Sequence, residues 1–265
     1  MENEPKKFEF LAVSFGGGTN STAMLCGMYE RGIKPDLLMF ADTGSEYPQT
    51  YEHVAMMQAQ VQAWWGIEMQ IVKKLRAGEF EGLERECLRG GKLPALAYGS
   101  RACSVKYKHE PQNRLMKAEM KKLGLTVGTR AIGFDAGEAH RVKPSTDIWA
   151  DNWYPLVEWN WRRAECMAAI ERHGLPQPGK SACFFCPATK RGEVLRMKEQ
   201  QPELIERALE IERRAQTGVN RQVRGLGGER NLWENWLAQD KAQGKFALDL
   251  EPVHLPCGCY DGGSA

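Results

Sequence analysis

Val13-Ser14-Phe15-Gly16-Gly17-Gly18-Thr19-Asn20-Ser21-Thr22 joins an apolar run to a helical pattern. Phe8 to Phe15 reads as a strand and Asn20 to Tyr29 as a helix. Three consecutive glycines at the junction let the backbone bend sharply and bring its N–H groups close to an anion, while Thr19, Asn20, Ser21 and Thr22 add side-chain partners. The expected guest is a phosphate or pyrophosphate; the structural alternative is a plain glycine turn. No Lys-Ser or Lys-Thr pair follows the glycines, as a Walker loop requires, and the third glycine of a Rossmann fingerprint would fall on Ser21.

Working outward, Leu37 to Ala41 is a short apolar run of the kind a buried parallel strand shows, and it ends in Asp42-Thr43-Gly44-Ser45-Glu46. Ligands of open α/β sheets bind at such carboxyl ends, so Asp42, Thr43 and Glu46 are expected to face the crevice of the glycine loop; helix capping by Thr43 or Ser45 is the simpler account. Tyr47 to Trp65 carries Val54, Met57, Val61 and Trp64 at helical spacing, and Glu68 to Val72 reads as a third strand. Lys73 to Gly99 reads as an irregular connection holding a lone Cys87. Val127 to Gly133 is a further buried strand, again followed by polar residues: Arg130 and Arg141 suit phosphates, and Asp135 and Glu138 suit Mg²⁺ or loop positioning. A Glu138–Arg141 surface ion pair is the bland reading. The expected architecture is α/β, a mostly parallel twisted sheet flanked by helices and Rossmann-like in kind, with residues 1–175 as the main domain and 176–265 as a helical, Arg-rich, Cys-bearing extension.

At 265 residues, with 42% hydrophobic and 26% charged residues and a formal net charge of +2, the chain has an ordinary globular composition that announces no nucleic-acid partner. The charged start, Met1 to Lys7, lacks the apolar stretch of a secretory signal, and no long apolar run occurs, so a cytoplasmic location without a membrane partner is expected. The chain has eight cysteines, and in a reducing compartment their clustering points to metal or thiol chemistry rather than disulfides. Cys183 and Cys186 form a Cys-x-x-Cys pair before a helix, a half-site for zinc or an iron–sulfur cluster and also a redox spacing. Cys257 and Cys259 form a second close pair on a glycine-rich tail, and Cys103 stands in the basic stretch Arg101 to Pro111.

Together these residues resemble the phosphoadenosine phosphosulfate (PAPS) reductase-like branch of the PP-loop adenine nucleotide α-hydrolase superfamily. Its Ser-Gly-Gly-x-Asp-Ser loop corresponds to Gly16-Gly17-Gly18-Thr19-Asn20-Ser21, with Gly16 replacing Ser and Asn20 replacing Asp. Asp42-Thr43-Gly44 matches the second-strand segment. Gly133, Glu138 and Arg141 match the Gly-x-Arg-x-x-Glu-Ser-x-x-Arg element, with Asp135 replacing an Arg, and Pro155-Leu156 with Trp159 matches Pro-Leu-x-x-Trp.

The resemblance implies an adenine nucleotide, ATP or PAPS/APS with Mg²⁺, bound by Ser14, the loop residues Gly16 to Ser21, Asp42, Thr43, Gly44, Gly133, Glu138 and Arg141, with Asn20 in the catalytic position. It also implies a [4Fe–4S] cluster on Cys103, Cys183 and Cys186, where Ser104 replaces a further cysteine and Cys257 or Cys259 is the candidate fourth ligand. Two activities follow. One is nucleotide-activated sulfur transfer, yielding AMP and pyrophosphate and thiolating an acceptor such as a nucleic acid, with a sulfur donor protein. The other is sulfonucleotide reduction by Cys257 or Cys259, with an electron donor protein. A non-catalytic nucleotide- or nucleic-acid-binding module with structural Zn²⁺ is the reading from a different class.

Overall fold

The structure is a computed structural model that describes residues 7–217, 224–229 and 231–243. Five strands, β1 (Leu11–Phe15), β2 (Leu37–Asp42), β3 (Met69–Lys73), β4 (Gly128–Ile132) and β5 (Ala150–Trp153), form one sheet in the order β3-β2-β1-β4-β5. All four pairings are parallel; Val13 lies opposite Leu38 on one side and Ala131 on the other. Parallel neighbours need crossovers, and helices α1 (Thr19–Glu30) and α2 (Pro48–Trp65) supply the first two. Every residue of β1 and β2 is buried, which is why both read as unbroken apolar runs rather than as alternating ones.

The path of the chain reverses at β1: β2 and β3 are laid down on one side, β4 and β5 on the other. A crevice therefore opens between the carboxyl ends of β1 and β4, where the connections part in opposite directions. The glycine turn sits in that gap. Gly133, just past β4, approaches so closely that a Cβ there would lie 3.2 Å from the backbone N and Cα of Ser21.

Two expectations about local structure are corrected. Residues 73–99 are not irregular throughout: they hold a short hairpin (Leu75–Arg76 with Glu79–Phe80) and α3 (Leu83–Gly90). Helix α3 buries Leu83, Cys87 and the carboxylate of Glu86, which Lys74, Lys92 and the Tyr107 hydroxyl neutralise. Ion pairing thus does what apolar periodicity would announce elsewhere. The fifth strand, Ala-Asp-Asn-Trp, was not expected because Asp and Asn are poor strand formers; it lies at the sheet edge with Asp151 exposed.

After β3 the chain runs through a helical turn (Ala102–Ser104) and a π-type turn (Val105–His109) into α4 (Glu110–Lys122). Helix α5 (Arg163–Arg172) packs on α1, and α6 (Arg191–Gln200), α7 (Pro202–Thr217) and α8 (Trp233–Gln243) follow. A second apolar core joins residues 47–107 to these later helices through Tyr107, Phe184, Phe185, Leu204 and Trp233. Within it, Glu212 accepts backbone N–H bonds from Leu226, Trp233 and Glu234 at 2.7, 3.0 and 3.2 Å, tying α7 to the start of α8. Trp153, Trp159 and Trp161 serve as core filling: Trp153 is buried, and the other two pack on the sheet core. Among the described residues no helix is long and apolar enough to cross a membrane.

Gly17 has a φ of +73°, and a Cβ there would lie 2.9 Å from the Thr50 methyl, whereas one on Gly16 would meet only Ser21 Oγ at 3.7 Å. Gly17→Ala is expected to cost about 1–3 kcal/mol. Gly16→Ala is expected to change stability by less than about 1 kcal/mol. Urea denaturation of both variants checks the contrast.

Candidate functional site

The glycine turn is fixed from beneath. Ser21 Oγ and Thr22 Oγ1 both donate to the Gly18 carbonyl at 3.0 Å, and the Gly18 N–H points back at Ser21 Oγ at 3.3 Å. With its proton given to Gly18, Thr22 Oγ1 accepts from His53 Nε2 at 2.8 Å. His53 is buried, and burial pulls its pKa down to about 4, so the imidazole is neutral and braces the turn as a donor.

Above the turn lies a cavity of about 130 Å³. Phe15, Phe40, Ile132 and Phe134 line an apolar part of it. Ser14, Gly16, Gly18, Thr19, Asn20 and Ser21 bring the loop, and Lys108, Arg141, Arg163 and Lys180 bring four cations against the single carboxylate of Glu138. An apolar wall with convergent cations suits a ring joined to a polyanion.

Of the predicted nucleotide residues, Ser14, Gly16, Gly18, Thr19, Asn20, Ser21, Gly133, Glu138 and Arg141 line this one cavity. Glu138 and Arg141 form an ion pair, enclosed within the cavity wall rather than lying on the open surface. Gly17, Asp42, Thr43 and Gly44 lie outside the lining. The Asp42 carboxylate is instead occupied at the end of β2, accepting from the Gly44 N–H at 2.7 Å and the Tyr51 hydroxyl at 2.8 Å and pairing with Lys73 at 3.3 Å. It shapes the turn that follows β2 and does not point into the crevice.

Asn20 is engaged with protein groups on both sides. Its Nδ2 donates to Asp135 Oδ2 at 3.1 Å and Glu138 Oε2 at 2.8 Å, and its Oδ1 accepts from Arg163 Nη1 at 3.2 Å. Both amide hydrogens are thereby used, so this side chain holds the two carboxylates in place. The geometry also explains the residue type: an aspartate here would set a third carboxylate within hydrogen-bond distance of two others.

A second cavity adjoins the first, with Lys108 lining both. Cys103, Cys183 and Cys186 line it, with Thr43, Ser104 and Arg101. The end of β2 builds this site: Thr43 Oγ1 lies 3.4 Å from Cys183 Sγ, Glu46 forms a β-bridge with Cys183, and the Phe184 N–H donates to the Ser45 carbonyl at 2.9 Å. Lys108 Nζ lies 3.3 Å from Glu46 Oε1; burial is the largest single influence and opposes its charge, but Glu46 together with Cys183 and Cys186 outweighs it and holds the pKa above the ordinary lysine value. Burial pushes the Cys183 thiol well up and Cys186 up as well. Among the described residues no three His, Cys, Asp or Glu side chains converge on one point as ligands of a single metal ion would. Cys257 and Cys259 lie outside the described residues.

Cys26, Cys87 and Cys166 are buried free thiols whose pKa burial raises to about 12, so they belong to the cores. Sequence reasoning missed Arg163, Lys180, Ser181 and Gln112, all on the cavity wall. The triplet Gly179-Lys180-Ser181, just ahead of Cys183, was the available signal.

The fold and cavity define a parallel α/β protein with a cation-lined cavity over a glycine turn at the switch point of its sheet. No protein-family model matches the chain. An uncharacterized 37.8 kDa protein of Escherichia phage 186 is 21% identical over 251 residues, covering 76% of this chain and 74% of that protein. An uncharacterized protein of Methanocaldococcus jannaschii is 26% identical over 233 residues, covering 85% of this chain but 44% of that protein, so this chain spans less than half of that relative. Among solved structures, the U34-tRNA thiolase NcsA from Methanococcus maripaludis with its [4Fe-4S] cluster aligns with a TM-score of 0.47 and 15% identity, over 81% of this chain and 75% of that one.

Asn20→Asp is expected to lower stability by about 1–3 kcal/mol through like-charge repulsion, and adding Asp135→Asn is expected to recover most of the loss; thermal melting reads both. The second expectation concerns pH. The unfolded His53 takes a proton near its ordinary pKa of 6.5, while the folded one resists until about 4, so stability falls as the pH drops through that window. His109 is likewise held down to about 4 by burial, so His53→Gln is expected to reduce the loss between pH 7 and 5 without abolishing it.

Proposed function

We infer that this chain is a PP-loop enzyme of the PAPS reductase-like kind that binds an adenine nucleotide in the glycine-turn cavity and uses it to activate an acceptor for sulfur transfer. The single observation that carries this reading is adjacency: a cavity suited to a polyanion shares Lys108 with a cavity walled by three cysteines. In the proposed reaction an acceptor oxygen attacks the α-phosphorus of ATP, the bond to pyrophosphate breaks, and a sulfur nucleophile later displaces AMP from the acceptor. Backbone N–H groups of the turn and the cations Arg141 and Arg163 hold the phosphates, and a Mg²⁺ would meet the lining carboxylate Glu138 in exchange for its contacts with Asn20 and Arg141. Ser14, whose hydroxyl donates to Gln112 Oε1 at 3.0 Å, fixes the floor.

The thiol cavity fits an iron–sulfur centre on its own chemistry. Three thiols face one space, and burial makes a lone thiolate costly at Cys183 and Cys186, so a cationic centre is what would make those two ligands. The three do not converge as the donors of one Zn²⁺ do at about 2.3 Å; a cubane spreads its thiolates over separate irons. Ser104 Oγ, on the cavity lining, is buried without a hydrogen-bond partner among the described residues. Cys103, Cys183 and Cys186 would hold the cluster, with Cys257 or Cys259 the candidate fourth ligand. When bound, the cluster supplies an iron site able to carry sulfur. A nucleic acid is the acceptor class proposed, with a sulfur donor protein as partner.

Anaerobically purified protein is expected to contain iron and acid-labile sulfide, and Cys183→Ser to lose at least about half of that iron. With ATP and Mg²⁺, pyrophosphate release is expected to depend on added acceptor RNA or DNA. A colourless protein with one zinc, or no pyrophosphate with any acceptor, would sink this reading; PAPS-dependent sulfite release abolished by Cys257→Ser or Cys259→Ser would replace it with the reductase.

A further inference from the structure

The thiol cavity has a second neighbour. A third cavity, of about 140 Å³, shares Leu83, Pro94 and Cys103 with it, and none of its lining residues lines the nucleotide cavity. Cys103 thus faces both the thiol cavity and the third one, whereas Cys183 and Cys186 face the thiol cavity alone. Three charged side chains line the third cavity: Glu86, Lys92 and Lys106. Glu86 is already satisfied, accepting from Lys92 Nζ and the Tyr107 hydroxyl at 2.7 Å each and pairing with Lys74, which follows β3. Burial opposes the charge of Glu86, but these three donors outweigh it and hold its pKa down to about 2. Lys106 is exposed and has no ion-pair or hydrogen-bond partner among the described residues. The lining therefore offers two ammonium groups against one spent carboxylate, and a cleft of that sign draws anions.

We propose that the third cavity is an entry port for a small anion, through which an inorganic sulfur anion reaches Cys103 without passing the nucleotide; that the anion carries sulfur rests on the sulfur-transfer reading above. With nucleotide and acceptor in the first cavity, the way past Lys108 is taken, and the side of Cys103 is the approach left to a further reactant. Lys106 supplies the attraction from solvent, Lys92 carries it inward, and Leu83 and Pro94 form the apolar passage to the thiols. A cavity of this volume takes the anion and leaves a donor protein outside.

Alkylation of the full chain, cluster-free and reduced, tests this with two probes that differ in charge: iodoacetate, an anion, and iodoacetamide, its neutral counterpart. Mass spectrometry of the peptide carrying Cys103 reads both rates. A changed thiolate fraction at Cys103 alters both alike, so their ratio reports charge selection. Lys106→Glu is expected to slow iodoacetate about five- to twentyfold relative to iodoacetamide, and added salt to erase most of that difference. Ala95→Leu, which fills part of the cavity, is expected to slow both reagents by at least about threefold. Lys106 is exposed, so its variant carries the test if Ala95→Leu does not fold. A ratio that Lys106→Glu leaves unchanged overturns the port, as do rates that a folded Ala95→Leu protein leaves unchanged. Failure of the sulfur-transfer reading shows separately, as absent iron or pyrophosphate, because alkylation of the cluster-free chain depends on neither.

Discussion

Parallel strands cannot turn back on themselves, and here the crossovers run one way from β1 to β2 and β3 and the other way to β4 and β5. The reversal leaves space at the carboxyl ends of β1 and β4, and groups far apart in sequence gather there: the turn at Gly16 to Gly18, Gly133 to Arg141 after β4, and Arg163 at the head of α5. Steric economy at two glycines keeps that space small. Gly133 lets β4 end against the backbone of Ser21, and Gly18 lets Ser181 close on the turn. A methyl group at either position would push apart the walls that make the cavity.

Charge is arranged within this frame by neutral groups as much as by ion pairs. Asn20 separates the carboxylates of Asp135 and Glu138 while accepting from Arg163, so positive and negative groups share a partly buried site without like charges in contact. His53 plays a comparable part under the turn, where a protonated ring would carry charge into the apolar floor. In the adjoining cavity Lys108 and Glu46 compensate one another beside Cys183 and Cys186, whose thiols burial keeps protonated.

Much of this was legible from residue pattern. The glycine turn, four of the five strands and the three cysteines are marked by local signals: an unbroken apolar run, a run of flexible residues, a fixed thiol spacing. What escaped depended on tertiary partners. Strand β5 contains Asp151 and Asn152 and forms because β4 offers an open edge; α3 forms around Glu86, whose burial depends on Lys74, Lys92 and Tyr107. Arg163 sits in an ordinary amphipathic helix, and only the packing of α5 on α1 brings it to the cavity. Asp42 shows the opposite case: a correctly placed strand end whose side chain is claimed by Tyr51 and Gly44, which periodicity does not reveal.

The segment from Gly179 to Cys186 belongs to both cavities. Its first residues face the glycine turn and its cysteines face Cys103, with Thr50 and Ser45 pinning its backbone between them. Seven peptide bonds separate its two ends. The two cavities therefore share one wall, and a change of backbone at either end of the segment alters the lining of both.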